Sequence, residues 1–309
     1  MSATTGISWT DSTWNPVRGC SRVSQGCTHC YAETVAARFS KPGQPYDGLT
    51  DEHGRWNGRT MVIDKHLADP IRWREPRKIF VNSMSDLFHE SISDEVIDKI
   101  FVVMAFARRH TFQVLTKRPE RMREYAPTPD RWDAARHWLR SLLPKKSLGA
   151  WEYVGVMMAD QPWPLPNVWL GVSAEDQETW DDRVEQLGRT PAAVRFVSAE
   201  PLLGPIDCGN AFDLPVSGSD YQPIDWVIVG GESGPGHRPM DPEWAESIVR
   251  QCDLAHVAVF VKQDSGAKPG HQGRLSADIW AAKEFPIVGA PPLPSGGDSY
   301  LETDGARQR

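Results

Sequence analysis

Three cysteines, Cys20, Cys27 and Cys30, stand close together near the start of the chain, in the spacing C-x6-C-x2-C. A helix-forming run, 31–38, follows the last of them directly. Thiolates bind Zn²⁺ and iron–sulfur clusters. Three thiols on one loop before a helix therefore predict a metal or cluster site with these three ligands.

The rest of the chain offers few candidates for a fourth ligand, which a structural zinc site would need. The candidates are His29, Cys208 and Cys252. His29 lies beside the cysteines in sequence, Cys252 falls on the apolar face of a predicted helix, and we interpret Cys208 as an ordinary loop thiol. Three cysteines without an evident fourth suit a [4Fe–4S] cluster with one open iron. Zinc stays open as the alternative.

Length and composition describe a folded protein of a reducing compartment. The chain has 309 residues, of which 40% are hydrophobic and 24% charged, as in packed globular domains. No window approaches the roughly 20 apolar residues that span a bilayer, and residues 1–10 lack the basic and apolar regions of a signal peptide. We therefore expect a cytoplasmic protein with no membrane partner, whose five cysteines are thiols or metal ligands rather than disulfides.

The charge pattern bears on nucleic-acid partners. A net charge of -7 argues against a surface that coats nucleic acid as a whole. The basic stretch 108–123 is nevertheless a candidate local groove for nucleic acid. The alternative interpretation of this stretch is a solvated helix end with surface salt bridges.

Short apolar runs recur along the chain and predict its fold. They occupy 79–83, 111–116, 168–173, 194–199, 226–230 and 257–262, with a further strand expected within 13–18. Helical patterns opened by Ser93, Asp176 and Asp241 lie between several of them. This alternation predicts an α/β fold, a (βα) partial or full TIM-like barrel of about six to seven parallel strands. An open doubly wound sheet is the competing arrangement.

The same patterns predict the domain organisation. Residues 1–285 form the barrel, and 125–167 form a helical insertion within it, with Trp132, Ala135, Leu139 and Leu142 on one helix face. The Pro/Gly/Ser-rich stretch 286–309 predicts a disordered tail.

The predicted strands end in polar side chains. Functional groups of a parallel barrel collect at the carboxyl ends of its strands, so these ends predict a polar ligand bound over the barrel mouth. Glu175, Ser198 and Lys262 lie at such ends. The residues that we expect to contact a cofactor there are Ser83, Asp86, Thr116, Lys117, Ser173, Glu200, Gly230, Gly231 and Glu232.

Several motifs resemble one family closely. They are Gly6–Cys20, Gly26–Glu33, Val81–Phe88, Leu115–Arg121, Val197–Gly204 and Val229–Pro235. They are similar to a phage- and prophage-encoded family of unknown function with a three-cysteine motif, which is grouped with the barrels of the radical S-adenosylmethionine superfamily. The resemblance extends over nearly the whole chain to Pro286.

The resemblance implies an enzyme. Cys20, Cys27 and Cys30 would each hold one iron of a [4Fe–4S] cluster, and S-adenosylmethionine would bind the fourth iron. Reductive cleavage of that cofactor would give a 5'-deoxyadenosyl radical, acting on a nucleic-acid or nucleotide-derived substrate.

Two departures from the superfamily pattern leave alternatives open. The usual spacing is C-x3-C-x2-C. Because the first gap is longer here, zinc stays open as the alternative to a cluster. The Gly-Gly-Glu of the superfamily follows an early strand, whereas Gly230-Gly231-Glu232 follows a late one. The alternative function is a non-catalytic zinc- or cluster-stabilised barrel that binds a partner protein in phage–host interaction. A metal-dependent hydrolase would need His and Asp ligands at the strand ends. Histidine is nearly absent from these ends, which disfavours that function.

Overall fold

Seven parallel strands form the main sheet of this computed structural model, which describes residues 5–125, 129–142, 163–213 and 217–287. The sheet order is β1-β4-β5-β6-β7-β8-β9, and a separate antiparallel pair joins β2 to β3. The strands are β1 Ser12–Trp14, β2 Val17–Arg18, β3 Met61–Val62, β4 Lys78–Val81, β5 Thr111–Thr116, β6 Val168–Ser173, β7 Val194–Ala199, β8 Trp226–Gly230 and β9 Ala258–Gln263. The order never reverses, so the doubly wound alternative is wrong.

Helices flank this sheet and occupy most of its crossovers. They are α1 Tyr31–Arg38, α2 Asp64–Leu67, α3 Asp94–Phe106, α4 Pro119–Glu124, α5 Pro129–Leu142, α6 Gln177–Gly188, α7 Pro242–Ala255 and α8 Ala277–Ala281. The predicted cap of α7 is confirmed, because the Asp241 side chain accepts a backbone N–H of its own first turn. Asp176, where the helical pattern of α6 begins, caps that helix in the same way. Ser93 does precede α3, but its side chain makes no capping hydrogen bond.

Alternate residues of each strand face two different cores. Val197 of β7, Val227 of β8 and Val259 of β9 pack in the large core beneath the helices. Phe196 and Ile228, their neighbours in sequence, belong to a second buried cluster on the other face of the sheet. Apolar residues on both faces explain why these strands read as continuous hydrophobic runs.

The second cluster shows that the sheet curls. The ring of Trp9 lies 4.8 Å from that of Phe80 on β4 and 6.2 Å from that of Trp226 on β8. In a flat sheet, four strand spacings would separate β4 from β8 by about 19 Å. One indole touches both strands only because the sheet folds around it. Among the described residues β1 and β9 do not pair, so the sheet is a half-barrel, and the expectation of a partial TIM-like barrel is confirmed.

Aromatic rings fill the amino-terminal half of the half-barrel interior. Trp226 is fully buried there, and its ring lies within 7 Å of those of Trp9, Trp169, Phe196 and Phe260. Gly171 leaves the space that the ring of Phe196 takes, since a Cβ on Gly171 would stand 2.6 Å from that ring. Gln113 of β5 is a buried polar residue at this level, and its side-chain amide donates to the Trp9 carbonyl at 3.3 Å.

The insertion contains the helix that its pattern predicts. On α5 the side chains of Trp132, Ala135 and Leu139 are buried, whereas Leu142 is exposed. Trp132 stacks on Phe101 of α3 with ring centroids 6.5 Å apart. Residues 143–162 of the insertion and 288–309 of the predicted tail lie outside the described residues. Within the described ranges, no helix combines the length and the apolar character that crossing a membrane requires.

We expect Trp226→Ala to lower the free energy of unfolding by about 3–5 kcal/mol, because it removes the ring on which the interior cluster converges. Leu254→Ala is the control: Leu254 is 84% exposed, and its truncation should change stability by no more than about 0.5 kcal/mol. Denaturant unfolding followed by circular dichroism measures both. Similar effects of the two variants would contradict the role given to Trp226.

Candidate functional site

The segment 19–30, here called the cysteine loop, lies between β2 and α1 and crosses the carboxyl ends of the strands. It opens at Gly19, whose backbone N–H donates to the Met84 carbonyl at 3.2 Å, next to the end of β4. Gly19 has a φ of +91°, and a Cβ there would stand 2.2 Å from the Arg59 carbonyl oxygen. Only glycine fits this position, which fixes where the loop begins.

The three thiols lie within electrostatic range of one another. Burial, the nearby Asp86 carboxylate and the charges of the other two cysteines raise the pKa of Cys20 to about 12. Burial chiefly raises the pKa of Cys30 as well, and Cys27 adds to that rise. In the described ranges, no three His, Cys, Asp or Glu side chains are grouped so that they could hold a metal ion. The loop therefore gathers three thiols without grouping them as a single metal site.

The first anchor of the loop is Arg118, which follows β5. Its guanidinium donates to Asp86 Oδ2 at 3.1 Å and to Ser21 Oγ at 2.7 Å. Asp86 in turn accepts from the Thr116 hydroxyl at 2.7 Å and from the Lys117 backbone N–H at 3.0 Å. The ends of β4 and β5 are thus joined through Asp86, and Arg118 connects that junction to the residue after Cys20.

The second anchor is Glu175, which follows β6 and is fully buried. Its carboxylate accepts from Ser24 Oγ at 2.9 Å and from Arg183 of α6 at 3.2 Å, and it is paired with Lys117. Burial alone would raise the pKa of Glu175, but the Lys117 and Arg183 charges hold it below its ordinary value. A buried carboxylate with two cations is stable as the anion, and Ser24 ties the cysteine loop to it.

Gly26 explains how the loop comes so close to this anchor. A Cβ at position 26 would stand 2.3 Å from Glu175 Oε1 and 2.5 Å from its Cγ. The second glycine of the cysteine segment is therefore required by contact with the end of β6, not by an unusual backbone angle.

The third anchor is Glu232, two residues beyond β8. It accepts from His29 Nδ1 at 2.7 Å and from the Arg238 guanidinium at 2.6 Å. Arg238 also donates to the Gln25 carbonyl at 3.0 Å. Burial opposes ionisation of Glu232, yet the hydrogen bonds from Arg238 and His29 lower its pKa to about 2.

Tyr31 follows the cysteine loop directly and reaches the end of β4. Its hydroxyl donates to the Ser83 carbonyl at 2.7 Å, and 49% of its surface is accessible. Burial of the hydroxyl end raises its pKa, and the charges of Cys30 and Glu200 add to the effect. The contact with Ser83 places the accessible Tyr31 side chain at the carboxyl end of β4.

Inside the mouth, Glu200 and Lys262 form an ion pair across β8. Glu200 Oε1 lies 2.8 Å from Lys262 Nζ, and Glu200 Oε2 accepts from Ser198 Oγ at 3.0 Å. Gly230 of β8 lies between them, and a Cβ there would stand 2.6 Å from Glu200 Oε1.

The predicted cofactor residues fall into two groups. Asp86, Thr116, Lys117 and Glu232 belong to the anchors described above and hold the cysteine loop. Ser83, Ser173, Glu200 and Gly230 lie at the ends of β4, β6, β7 and β8, while Gly231 packs against β9, where a Cβ would stand 2.3 Å from the Ser265 nitrogen.

Sequence reasoning missed the residues that reach the anchors from outside the strand ends. Arg183 lies in the middle of α6, Arg238 lies in the loop after β8, and Ser24 lies between two of the cysteines. No pattern marks an arginine or a serine as the partner of a particular buried carboxylate. Only the fold brings them together.

The cations of the basic stretch 108–123 are largely used within the protein. Arg109 donates to the Trp73 carbonyl at 2.9 Å, and Lys117 and Arg118 serve the anchors. Arg121 donates to the carbonyls of His89 and Ile92. This arrangement matches the salt-bridged alternative more closely than an open groove.

The two remaining cysteines lie apart from the loop. Cys252 on α7 is fully buried in the large core, as predicted, and Cys208 is buried in the same core. Cys208 lies in a loop, as the sequence indicates, and the core around α7 encloses its side chain. Burial raises the pKa of both thiols.

The fold and the site define a parallel half-barrel with a three-cysteine loop fixed across its carboxyl end. The chain belongs to the family described as "Protein of unknown function (DUF5131)", whose family model matches residues 4–280. Comparison with curated proteins and with solved structures found no match.

We expect Gly26→Ala to destabilise the protein by about 1–3 kcal/mol, because the added methyl group must displace the loop from the Glu175 carboxylate. Gly6→Ala is the matched control, since a Cβ at Gly6 meets nothing within 4 Å. Thermal unfolding gives the stability, and the rate at which a thiol reagent modifies the metal-free protein reports the position of the loop. Equal effects of the two substitutions on both readouts would refute the contact.

The depressed pKa of Glu232 predicts a pH dependence. Its ion pairs stabilise the folded state above the ordinary carboxyl pKa of 4.5, and this stability is lost as the pH falls toward the folded pKa of about 2. Glu232→Gln should therefore be less stable than the wild type at pH 7 by up to about 3 kcal/mol, and the difference should shrink as the pH drops below 4.5. Urea unfolding at several pH values measures it, with the exposed Glu178→Gln as control; a pH-independent difference would count against the assignment.

Proposed function

We propose that this protein is a radical-SAM-like [4Fe–4S] enzyme acting on a nucleic-acid or nucleotide-derived substrate. The observation that carries the proposal is the position of the three thiols. They lie on a loop that three charged anchors hold across the carboxyl ends of parallel strands, where barrel enzymes bind their ligands. The chain's two other cysteines are buried in the core and supply no fourth thiolate at the loop.

The donor set fits an iron–sulfur cluster. The raised pKa values of Cys20 and Cys30 mean that these thiols ionise readily only beside a strong positive charge, which a metal centre supplies. A cluster offers each thiolate its own iron, whereas a zinc ion requires its ligands to converge on one atom. Cys20, Cys27 and Cys30 share one loop and are not grouped around a single metal-ion position in the described residues, so a cluster, with one iron for each thiolate, is the centre we propose. His29 donates through Nδ1 to Glu232, so that ring nitrogen is not free to ligate a metal.

Bound at this loop, the cluster and S-adenosylmethionine would supply a hydrogen-abstracting radical on one-electron reduction. The chain's own residues then have three tasks. Glu175, Asp86 and Glu232 hold the cysteine loop in a fixed position over the mouth, each through its ion pairs with cationic side chains. Ser83 and Ser173 offer hydroxyl groups at the strand ends for polar contacts with the cofactor. The aromatic interior closes the opposite end of the half-barrel and excludes water from below.

The nucleotide character of the substrate is supported by the mouth rather than by the basic stretch. Most cations of 108–123 are engaged internally, whereas the mouth offers an accessible aromatic ring, Tyr31, and the charged pair Glu200–Lys262. Aromatic rings that stack on bases and polar groups that read base edges are the usual means of recognising an unpaired nucleotide.

We expect anaerobic reconstitution with iron and sulfide to give a brown protein with about four irons per chain. Single replacement of Cys20, Cys27 or Cys30 by alanine should abolish stable cluster loading and the dithionite-dependent cleavage of S-adenosylmethionine. Cys208→Ala and Cys252→Ala are matched controls, since their thiols lie in the core, and they should retain full iron content.

Metal analysis decides between this proposal and the non-catalytic alternative. Stoichiometric zinc without iron uptake would overturn the [4Fe–4S] assignment and leave a zinc-stabilised, partner-binding barrel. A protein that takes up iron but does not cleave S-adenosylmethionine would overturn the enzymatic part alone. Loss of solubility in Cys20→Ala together with zinc content would identify a structural metal.

A further inference from the structure

Strand β5 divides the basic stretch 108–123 between the two ends of the half-barrel. Arg108 and Arg109 precede this strand and lie at its amino end, whereas Lys117 and Arg118 follow it and belong to the anchors of the cysteine loop. The 6 residues of β5 separate the two groups by about 20 Å. The stretch therefore does not form one groove, and its first two arginines belong to a different surface.

A second basic segment, 72–78, lies beside these two arginines. The Arg109 guanidinium donates to the Trp73 carbonyl at 2.9 Å, and the Thr111 backbone N–H donates to the Arg77 carbonyl at 2.9 Å. The segments 72–78 and 108–109 are here called the amino-end surface, since they lie at the amino ends of β4 and β5, opposite the cysteine loop. The cations of this surface are Arg72, Arg74, Arg77, Lys78, Arg108 and Arg109.

Fewer acids than cations are found there. Among the described residues, the acids within this surface or in contact with it are Asp11, Asp69 and Glu75. Asp69 lies 3.6 Å from the Arg72 guanidinium, and Asp11 accepts the backbone N–H of Lys78 at 2.7 Å. Six cations and three acids leave an excess of three positive charges, on a chain whose net charge is -7. Such a local excess attracts a polyanion to this end of the protein.

Neutral groups hold several of these cations in place. Arg77 donates to the Ser12 hydroxyl at 3.4 Å, and its guanidinium lies 5.3 Å from the centre of the Trp73 ring. Arg109 donates to backbone carbonyls, and Nη1 of Arg108 is buried with no hydrogen-bond partner in the part of the chain that the structure describes. A neutral acceptor orients a guanidinium without cancelling its charge, so these arginines stay available to attract an anion.

We propose that the amino-end surface binds the sugar–phosphate backbone of a nucleic-acid strand. Planar guanidinium groups match the geometry of phosphate oxygens, and arginine contacts to phosphates supply most of the affinity for nucleic acid. The half-buried Trp73 lies among Arg72, Arg74 and Arg77. Cations combined with an aromatic ring are typical of surfaces that bind single strands.

An anionic membrane fits this surface less well. Segments that bind membrane surfaces place large apolar side chains beside their cations. The large apolar side chains that are exposed within the described ranges all lie outside 72–78 and 108–109. The surface is therefore charged without being amphipathic, which favours a polyanion in solution.

This inference deepens the nucleic-acid part of the proposed function and does not depend on the cluster. The surface lies at the end of the half-barrel opposite the mouth, about one strand length away. It would therefore hold a strand at a distance from any reacting nucleotide. A surface that binds the backbone in this way implies a polymeric substrate rather than a free nucleotide.

The salt dependence of oligonucleotide binding tests the inference. Fluorescence anisotropy of a labelled single strand of about 20 nucleotides is measured with the full-length protein between about 50 and 200 mM salt. If all six cations contact phosphates, log K should fall against log[salt] with a slope of about -4. Binding should be the same for the metal-free and the reconstituted protein, because the cysteine loop lies at the other end.

A double variant and a matched control locate the contact. Arg72 and Arg74 are exposed, so Arg72→Gln with Arg74→Gln should leave the fold intact, which circular dichroism checks. This variant should bind at least about tenfold more weakly at 50 mM salt, with a slope smaller by about 1.4. Arg123→Gln with Arg250→Gln removes two exposed cations outside the amino-end surface and should keep the wild-type slope.

The outcomes separate this inference from the proposed function. No oligonucleotide binding, equal losses in the two double variants, or binding to phosphatidylserine vesicles in place of the oligonucleotide would overturn it. Iron content and S-adenosylmethionine cleavage are measured on the same samples, and Arg72→Gln with Arg74→Gln should retain both. Intact cluster chemistry without oligonucleotide binding would refute only this inference. Salt-dependent binding that the amino-end variant weakens, in a protein that takes up no iron, would refute only the cluster.

Discussion

The site depends on one constraint: carboxylates buried at the strand ends must be neutralised. Glu175 is fully enclosed, and an isolated anion in that position would destabilise the fold by several kcal/mol. Its partners come from β5, from α6 and from the cysteine loop itself, so satisfying the charge also fixes the loop. Asp86 and Glu232 repeat this solution at two further strand ends. The position of the three thiols follows from the pairing of these three carboxylates.

The other end of the half-barrel is governed by packing. Seven parallel strands curl around Trp9 because the rings of Phe80, Phe196 and Trp226 bury more apolar surface by closing on it than a flat sheet would allow. The aromatic cluster fills the space below, where the buried polar side chain of Gln113 donates to the Trp9 carbonyl, and the charged side chains of the inner face described here lie near the mouth. The interior is therefore mainly aromatic toward the amino-terminal ends of the strands and charged at their carboxyl ends. The mouth, at the carboxyl ends, is the part of the interior that suits a polar ligand.

The strands were predictable because each is buried on both faces and reads as a short apolar run, as 194–199 and 226–230 do. The three cysteines were also visible as a group, since their spacing lies within one segment. The pairing of Glu175 with Arg183, or of Glu232 with Arg238, could not be predicted from the sequence. Such contacts depend on which loops the curled sheet brings together. The pattern of a single sequence indicates periodicity and local spacing, but it does not indicate which distant loops come into contact. The Ser93 cap failed for a related reason, because a residue type permits a hydrogen bond without forming it.

Glycine positions connect the predictable and the unpredictable parts of the site. Gly19, Gly26 and Gly230 all lie where a Cβ would strike the protein, at the Arg59 carbonyl, at Glu175 and at Glu200. The first two bring the cysteine loop down onto the strand ends, and the third makes room for the Glu200–Lys262 pair. These close backbone contacts set the position of the cysteine loop relative to the Glu200–Lys262 pair. The anchors that fix the loop therefore also fix its distance from that pair.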